Sequence, residues 1–358
     1  MPGSDTLRRC VILTEGQTHP TPAKTAAGFL RYCPEQAVAL LDSQQAGRDS
    51  GELLGVGHGV PIVADVATAH RLGANTLLIG ITPAGGQLPQ PWRALILQAI
   101  RLKMDVISGL HTILSEDEEF RQAALDHGVR ITDLRLPPKD LSVNRCRSTR
   151  SKTFRIHTVG TDCNCGKKVA ALEINRSLKN RGVRSEFIAT GQTGILISGK
   201  GIAMDRVIAD FISGAAERLV VENEAFDFLV IEGQGSLVHP LYSGVTLGML
   251  HGFAPQALIL CHQYGRTIMR GTADTPMPSL KTMIDLYERI SAPVFPARVL
   301  GVALNLMTLT DDRQALDEIK RVEDQLQLPA TDVIRFGADK LAEAALKFYQ
   351  RGETHSTC

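Results

Sequence analysis

The segment Gly160-Thr161-Asp162-Cys163-Asn164-Cys165-Gly166-Lys167-Lys168 holds the residues best placed to do chemistry. It follows an apolar run, Phe154 to Val159, and opens an amphipathic one, Lys167 to Arg181. A loop between a strand and a helix turns backbone N–H groups toward an anion, and the helix dipole favours negative charge there. Lys167 adds a point charge for a phosphate. Two features depart from the G-x-x-x-x-G-K-[ST] pattern. Gly160 lies one residue further from Gly166-Lys167, and Lys168 replaces the Ser/Thr whose hydroxyl normally binds Mg²⁺. The plainer reading is a glycine turn; strand, helix and Gly-Lys together favour phosphate binding. ATP hydrolysis is less secure, because a metal ligand is missing. Cys163 and Cys165 sit where a helix N-terminus lowers a thiol pKa, yet they serve equally as small fillers whose backbone binds.

Downstream, Asp227 to Ser236 reads as an apolar strand ending in Glu232 and the glycine turn Gly233-Gln234-Gly235. Glu232 is a candidate general base or a water-mediated Mg²⁺ holder; its plain reading is a strand-end cap. Thr190-Gly191-Gln192-Thr193-Gly194 follows another strand and offers N–H, amide and hydroxyl groups at the same edge. His239 and His262 both follow strand ends near glycines, and His239 is the second candidate base. Arg266 and Arg270 suit a substrate carboxylate, which arginine pairs bidentately, though both also read as surface residues. Gln192, Thr193 and Gln234 complete the candidate substrate set. Asn305 ends the run Gly301-Val-Ala-Leu-Asn305 and is a weak candidate for an adenine edge. No C-x-x-C zinc pair occurs, and no metal-ligand set is assigned.

These residues need a scaffold. At 358 residues the chain suggests about two domains. Apolar residues at 44% and charged ones at 22% exclude wholesale disorder. A net charge of +1 argues against a basic nucleic-acid coat, and 5% aromatics with Trp92 alone against a single-strand stacking platform. The seven scattered cysteines, Cys10, Cys33, Cys146, Cys163, Cys165, Cys261 and Cys358, read as reduced thiols. No apolar run approaches the roughly 18 residues of a membrane span, and no signal-peptide core follows Met1 to Arg9. A cytoplasmic protein is expected.

Short apolar runs alternate with helical stretches throughout. In the first part, Cys10 to Leu13, Ala37 to Leu41, Pro61 to Val63, Thr76 to Ile81, Asp105 to Ile107 and Val129 to Asp133 read as strands. Ala23 to Arg31, Trp92 to Leu102 and Ser115 to His127 read as helices, the last with Ser115 and Glu118 at capping-box spacing and Gly128 as its stop. In the second part, strands are expected at Phe154 to Val159, Ser185 to Ala189, Phe228 to Ile231, Ala257 to Cys261, Leu300 to Leu304 and Asp332 to Phe336, and a helix at Ala315 to Leu326. This alternation predicts an α/β protein of two doubly wound, mostly parallel sheets, Rossmann-like first and P-loop NTPase-like second. The division is 1–140, a basic linker at 141–153 and 154–358. Pro137-Pro138 opens the break, and Arg145, Arg147, Arg150, Lys152 and Arg155 follow. That run reads as a solvated linker, or as arginines reaching a bound phosphate. In the first domain Thr14-Glu15-Gly16, Asp42, Gly80 to Gly86 and Ser108 to His111 share one sheet edge. Gly55-x-Gly57-x-Gly59 lacks the dinucleotide spacing, so NAD is discounted.

The residues carry two resemblances. Gly160-Thr161-Asp162 with Gly166-Lys167, Val230 to Gly233 and Gly301 to Asn305 resembles the dethiobiotin synthetase branch of P-loop proteins, whose loop G-T-D-x-x-x-G-K-T has this wider spacing. Only Lys168 departs. A second resemblance covers about residues 22–340. Ala23-Lys24-Thr25-Ala26, Ser108 to His111, Thr158 to Cys163, Ala189 to Ile195, Ile231 to Leu237 with His239-Pro240, and Gly265-Arg266-Thr267 are similar to a two-domain family long catalogued as a domain of unknown function. It pairs a Rossmann-like N-terminal domain with a P-loop C-terminal domain, and some members are named D-glutamate N-acetyltransferase. This chain has Asn164-Cys165 and Lys168 where relatives often carry a small apolar pair and Met.

The resemblance implies acetyl-CoA as acetyl donor, its phosphates on the loop, D-glutamate as acceptor, Glu232 or His239 as base and Arg266 with Arg270 on the substrate carboxylates. Two alternatives stay open: ATP with Mg²⁺ in ligase or kinase chemistry, and a nucleotide-binding regulator without turnover. The expected partners are a small amino-acid substrate and further copies of the chain, with no nucleic acid and no membrane.

Overall fold

The computed structural model describes residues 8–81 and 84–352. Thr82 and Pro83, within the expected Gly80 to Gly86 edge segment, and Cys358 lie outside the described residues. The chain divides into two units, Met1–Leu136 with Ile195–Gly199, and Pro137–Gly194 with Lys200–Cys358.

The first unit contains β1 (Cys10–Leu13), β2 (Ala37–Leu41), β3 (Ile62–Val63), β4 (Thr76–Ile79), β5 (Asp105–Ser108) and β6 (Ile131–Asp133). All pair in parallel, in the order β3-β2-β1-β4-β5-β6. Parallel neighbours need crossovers, and these contain α1 (Lys24–Tyr32), α2 (Ser50–Leu54), α3 (Val66–Arg71), α4 (Trp92–Arg101) and α5 (Glu118–His127). Val11, Leu13, Leu77 and Ile79 pack with Ile96, Ile100 and Phe120 in one core layer. Cys10, Ile12, Leu40 and Leu78 pack with Phe29 and Leu30 in another. Alternate strand residues thus enter opposite cores, which is why the strands read as unbroken apolar runs.

The expected capping box at Ser115 does not form. Asp117 caps α5, accepting from the Phe120 N–H at 3.2 Å. Ser115 lies in a preceding 3₁₀ turn, fixed because the Asp133 carboxylate accepts the Leu114 and Ser115 N–H groups, each at 2.9 Å.

The second unit contains β7 (Phe154–Gly160), β8 (Ser185–Ile188), β9 (Phe228–Ile231), β10 (Ala257–Gln263), β11 (Arg298–Asn305) and β12 (Ala330–Thr331). These too are all parallel, in the order β12-β11-β10-β7-β9-β8. Its helices are α6 (Lys167–Asn180), α7 (Gln192–Ser198), α8 (Ala209–Val221), α9 (Ser243–Phe253), α10 (Leu280–Ser291), α11 (Asp312–Leu326) and α12 (Asp339–Gln350); the last residues of α7 belong to the first unit. Both units are α/β, as expected. Strand order reverses at β7, and ligands of open parallel sheets bind beyond the carboxyl ends of strands at such a point.

The expected strand Asp332 to Phe336 is a turn instead. Asp332 Oδ1 accepts the Ile334 N–H at 2.9 Å and Oδ2 the Leu306 N–H at 3.0 Å, which curls the chain after β12. The basic run also has internal partners. Glu217, fully buried on α8, accepts the backbone N–H groups of Arg145 and Arg147 and the Arg147 Nε–H, the last at 3.0 Å. Arg155 is fully buried and donates from Nε and Nη2 to the Ala254 carbonyl at 2.9 and 2.7 Å.

Candidate functional site

β7 ends at Gly160, and α6 begins at Lys167. Between them the chain turns through two left-handed residues, Asn164 at φ 50° and Gly166 at φ 108°. Gly160 is required by crowding: a Cβ there would lie 2.8 Å from Lys167 Nζ, Cys165 Sγ and the Asp162 carbonyl oxygen. Lys167 is buried and folds over its own loop, its Nζ donating to the Asp162 carbonyl at 2.6 Å and contacting Cys165 Sγ at 3.6 Å. Tyr287 Oη donates to the Gly160 carbonyl at 2.8 Å, so α10 holds the start of the loop. Asn305 also lies beside the loop, its Cβ 3.9 Å from where a Gly166 Cβ would sit.

Asp162 is fully buried and joins three segments. Its Oδ2 accepts from Arg266 Nη1 at 2.7 Å and from the Arg270 N–H at 3.0 Å, and its Oδ1 accepts the Cys163 N–H at 2.6 Å. Burial opposes its charge, but the Arg270 N–H, the Arg266 guanidinium and the Cys163 N–H outweigh that and hold the carboxyl below its ordinary value. His239 Nε2 lies 3.2 Å from Oδ1 and 3.0 Å from the Arg270 carbonyl. Its Nδ1 accepts the Leu241 N–H at 3.2 Å, so the neutral ring carries its proton on Nε2.

Glu232 lies just past β9. Its Oε2 accepts the Thr190 and Gly191 N–H groups at 3.0 and 3.1 Å. Burial pushes its carboxyl up to about 6, against the opposing pull of Lys168 and these two N–H groups. Gly191 and Gly194 leave room for the carboxylate; a Cβ on Gly194 would overlap Oε2. Gln234 Nε2 donates to Thr190 Oγ1 at 3.1 Å, and Thr190 Oγ1 donates to the Glu232 carbonyl at 2.7 Å.

The candidate residues therefore fall into two groups around the start of α6. One comprises the loop with Asp162, His239, Arg266 and the Arg270 backbone. The other comprises Glu232, Gln234 and the Thr190-Gly191 turn. Gln192 and Thr193 open α7, Thr193 buried and Gln192 half-buried. The Arg270 side chain is exposed. Arg266 Nη1 also donates to the Cys163 carbonyl at 2.7 Å, and its Nη2 to Gln263 Oε1. Thr161 Oγ1 lies 3.1 Å from His262 Nδ1, and burial pushes that imidazole down to about 4.

Two residues outside the candidate site set, Thr158 and Tyr287, support the loop. Thr158 Oγ1 lies 3.1 Å from both the Lys167 and Ile231 carbonyls and accepts the Gly233 N–H at 3.0 Å. One hydroxyl thus sets the first turn of α6 against the end of β9. Tyr287 lies far along the chain from the loop it holds. Tyr287 belongs to no motif; Thr158 opens the Thr158 to Cys163 segment that carries the family resemblance, and its own signal is a polar interruption of an apolar strand.

The donor set suits divalent cations poorly. Asp162, Cys163 and His239 bring one ligand atom each within 4.8 Å of one another. A cation between Asp162 Oδ1 and His239 Nε2 would have to displace the proton on Nε2 and would sit on a carboxylate whose other oxygen already binds the Arg266 guanidinium. At the place of a phosphate-loop Mg²⁺, the chain offers Lys168 in place of a hydroxyl and a Glu232 oxygen already held by two N–H groups.

Residues 142–342 match the P-loop domain of the family described as domain of unknown function DUF1611, and residues 43–137 match its Rossmann-like N-terminal domain. The chain belongs to the DUF1611 family. Among its relatives is a protein named D-glutamate N-acetyltransferase from Tritonibacter scottomollicae, 37% identical over 326 residues, which span 90% of this chain and 93% of that protein. A Pseudoalteromonas protein of the same name is 38% identical over 77% of this chain and 82% of its own. A crystal structure of a DUF1611 family protein from Anabaena variabilis superimposes with a TM-score of 0.91 at 37% identity, over 95% of this chain and 99% of that one. No helix among the described residues is long and apolar enough to cross a membrane.

Proposed function

We propose that the chain is an N-acetyltransferase that moves the acetyl group of acetyl-CoA onto the amine of D-glutamate, with the phosphate loop holding the CoA phosphates. The observation that carries this reading is the 37% and 38% identity to two proteins bearing that name. The reaction removes one proton from the substrate ammonium. The freed nitrogen lone pair attacks the thioester carbonyl and the C–N bond forms; the nitrogen then gives up a second proton as the C–S bond breaks, the departing thiolate takes up one proton, and the other is released to solvent. Glu232 is the better base of the two candidates. Its carboxyl is raised to about 6, close to the range where a base works at neutral pH. His239 spends both ring nitrogens on the Leu241 N–H and on Asp162 with the Arg270 carbonyl. It is assigned as a positioning residue for the loop. The exposed Arg270 side chain remains the candidate for a substrate carboxylate, and Gln192, Thr193 and Gln234 remain candidate substrate contacts. A homo-oligomeric assembly in the cytoplasm belongs to the same reading.

Phosphoryl chemistry with Mg-ATP requires a metal ligand that position 168 does not supply. The test is incubation of the purified chain with D-glutamate and either acetyl-CoA or Mg-ATP. Release of free CoA thiol with formation of N-acetyl-D-glutamate is expected. Phosphate release from Mg-ATP without thiol release would overturn the reading.

A further inference from the structure

We propose that Lys168 takes the place of the divalent cation of an ordinary phosphate loop, so that this loop holds a pyrophosphate diester without Mg²⁺. The inference rests on the phosphate-loop part of the reading above and is independent of acetyl transfer.

Position is the first support. In a G-K-[ST] loop the residue after the lysine offers a hydroxyl to the metal, and an acid at a neighbouring strand end completes the metal's setting. Here Lys168 is the residue after the lysine, and Glu232 is the strand-end acid. Thr158 brings together the backbone that leads into each. Its hydroxyl lies against the carbonyls of Lys167 and Ile231, the residues immediately before Lys168 and Glu232. Gly233 reinforces this closeness, since a Cβ there would collide with the Thr158 carbonyl and press Lys167 Cδ at 3.0 Å.

Electrostatics gives the second support. Lys168 is the strongest of the influences that favour the Glu232 carboxylate, ahead of the Thr190 and Gly191 N–H groups, while Asp205 opposes them. The acid that would face a metal therefore already lies in the field of a cation, and that cation is covalently part of α6. Glu232 also has one oxygen committed to two backbone donors. Mg²⁺ demands near-octahedral oxygen ligands and dehydrates reluctantly, so a site with a committed carboxylate oxygen and a lysine charge acting on it suits Mg²⁺ poorly.

Charge then selects the ligand class. A pyrophosphate diester, such as the one in CoA, carries one ionised oxygen on each phosphorus. Lys167 and Lys168 supply one positive charge each. A nucleoside di- or triphosphate ends in a more highly charged terminal phosphate, which ordinarily calls for a divalent cation. The two-lysine loop matches the diester.

The experiment is calorimetric titration of the full chain with CoA and with ADP, each in excess EDTA and in excess Mg²⁺, using the wild type and Lys168→Met. Wild-type affinity for CoA is expected to differ by less than about twofold between EDTA and Mg²⁺. Lys168→Met is expected to lose about tenfold or more for CoA in EDTA, the loss of one charge-assisted contact. A thermal melt of the variant that matches the wild type shows that the loss is local. Two results would overturn the proposal: CoA binding strengthened about tenfold by Mg²⁺, or a Lys168→Met variant that binds CoA as the wild type does. Metal-free, Lys168-dependent CoA binding without any acetylation of D-glutamate would sink the acetyltransferase reading and leave this inference standing. Acetyl transfer with Mg²⁺-dependent CoA binding would do the reverse. Failure of both CoA and ADP to bind would remove both.

Discussion

Arg266 Nη1 meets Asp162 Oδ2 at 2.7 Å, although 104 residues separate them in the chain. The acid of the phosphate loop is thereby an anchor. Through Asp162 the loop is tied to the Gly265–Arg270 segment and to the His239 turn, and the same guanidinium holds the Cys163 carbonyl.

Replacing Arg266 with Ala is therefore expected to act on the loop. Asp162 would keep its backbone donors but lose its one cationic hydrogen-bond partner while fully buried. Hydrogen bonds to charged groups contribute about 1.5–3 kcal/mol, and stability measured by urea unfolding should fall by an amount of that order. CoA affinity should fall with it. An arginine devoted to a substrate carboxylate would behave differently, raising KM for D-glutamate with stability unchanged. That result would return Arg266 to the substrate site.

Lys167 has a different role in the same loop. Its ammonium caps the Asp162 carbonyl at 2.6 Å, an internal oxygen where a phosphate oxygen would compete. Lys167→Ala should weaken CoA binding by about tenfold or more, the equivalent of about 1.5–3 kcal/mol for a charge-assisted contact. Titration calorimetry measures it, and an unchanged affinity would mean that the loop is only a turn.

The sheet strands were legible because parallel strands buried on both faces leave unbroken apolar runs, as at Phe228 to Ile231. The loop and its Gly-Lys were legible from spacing, and Glu232 from its place after such a run. Helix α9 was not. Its sequence SGVTLGMLHGF carries three glycines and almost no polar face, so it has weak helical periodicity. Packing explains two of the three: a Cβ on Gly252 would overlap the Ser213 carbonyl, and one on Gly248 would press Ile212 at 2.8 Å, whereas Gly244 meets nothing within 4 Å. Close approach of α8 and α9 demands glycines that local propensity reads as breaks. Arg266 was legible as a residue of interest but not as a loop brace, because its partner is distant in sequence. Asp332 misled for a local reason, since an apolar Val333-Ile334 pair beside it looked like strand while the carboxylate was making a turn.

His157 carries a liability on β7. It is fully buried beside Phe253, and neither ring nitrogen has a hydrogen-bond partner among the described residues. Burial, aided by the charge of Lys167, pushes its pKa down to about 3 from an ordinary 6.5. The native state keeps the ring neutral while the unfolded chain binds a proton below 6.5. Stability is therefore lost as pH falls from 6.5 toward about 3. His157→Leu removes the proton site and the two unpaired polar atoms. The acid-unfolding midpoint should move to lower pH. Acid titration followed by circular dichroism checks it, and an unmoved midpoint would show that another group sets acid stability.

Glu232 makes the opposite contribution to pH dependence and tests the chemistry as well. Its folded pKa, about 6, lies above the ordinary 4.5, so the native state binds this proton more tightly than the unfolded chain does. The stabilisation it gives is complete below 4.5 and is lost as pH rises through about 6. That interval of about 1.5 pH units corresponds to roughly 2 kcal/mol. Glu232→Gln should flatten the stability–pH curve over this window, because the amide keeps the shape and an acceptor for the Thr190 and Gly191 N–H groups but does not titrate. Turnover gives the second readout. With Glu232 as the base, wild-type kcat/KM should rise with pH through about 6 as the carboxylate of the free enzyme forms. The Gln variant should lose about a hundredfold or more in kcat, with little change in CoA affinity. The two readouts separate structure from catalysis. A flattened stability curve with full turnover would leave Glu232 as the brace of the Thr190-Gly191 turn and make His239 the base to test, with Asp162 and the Arg270 carbonyl as the partners it would have to release.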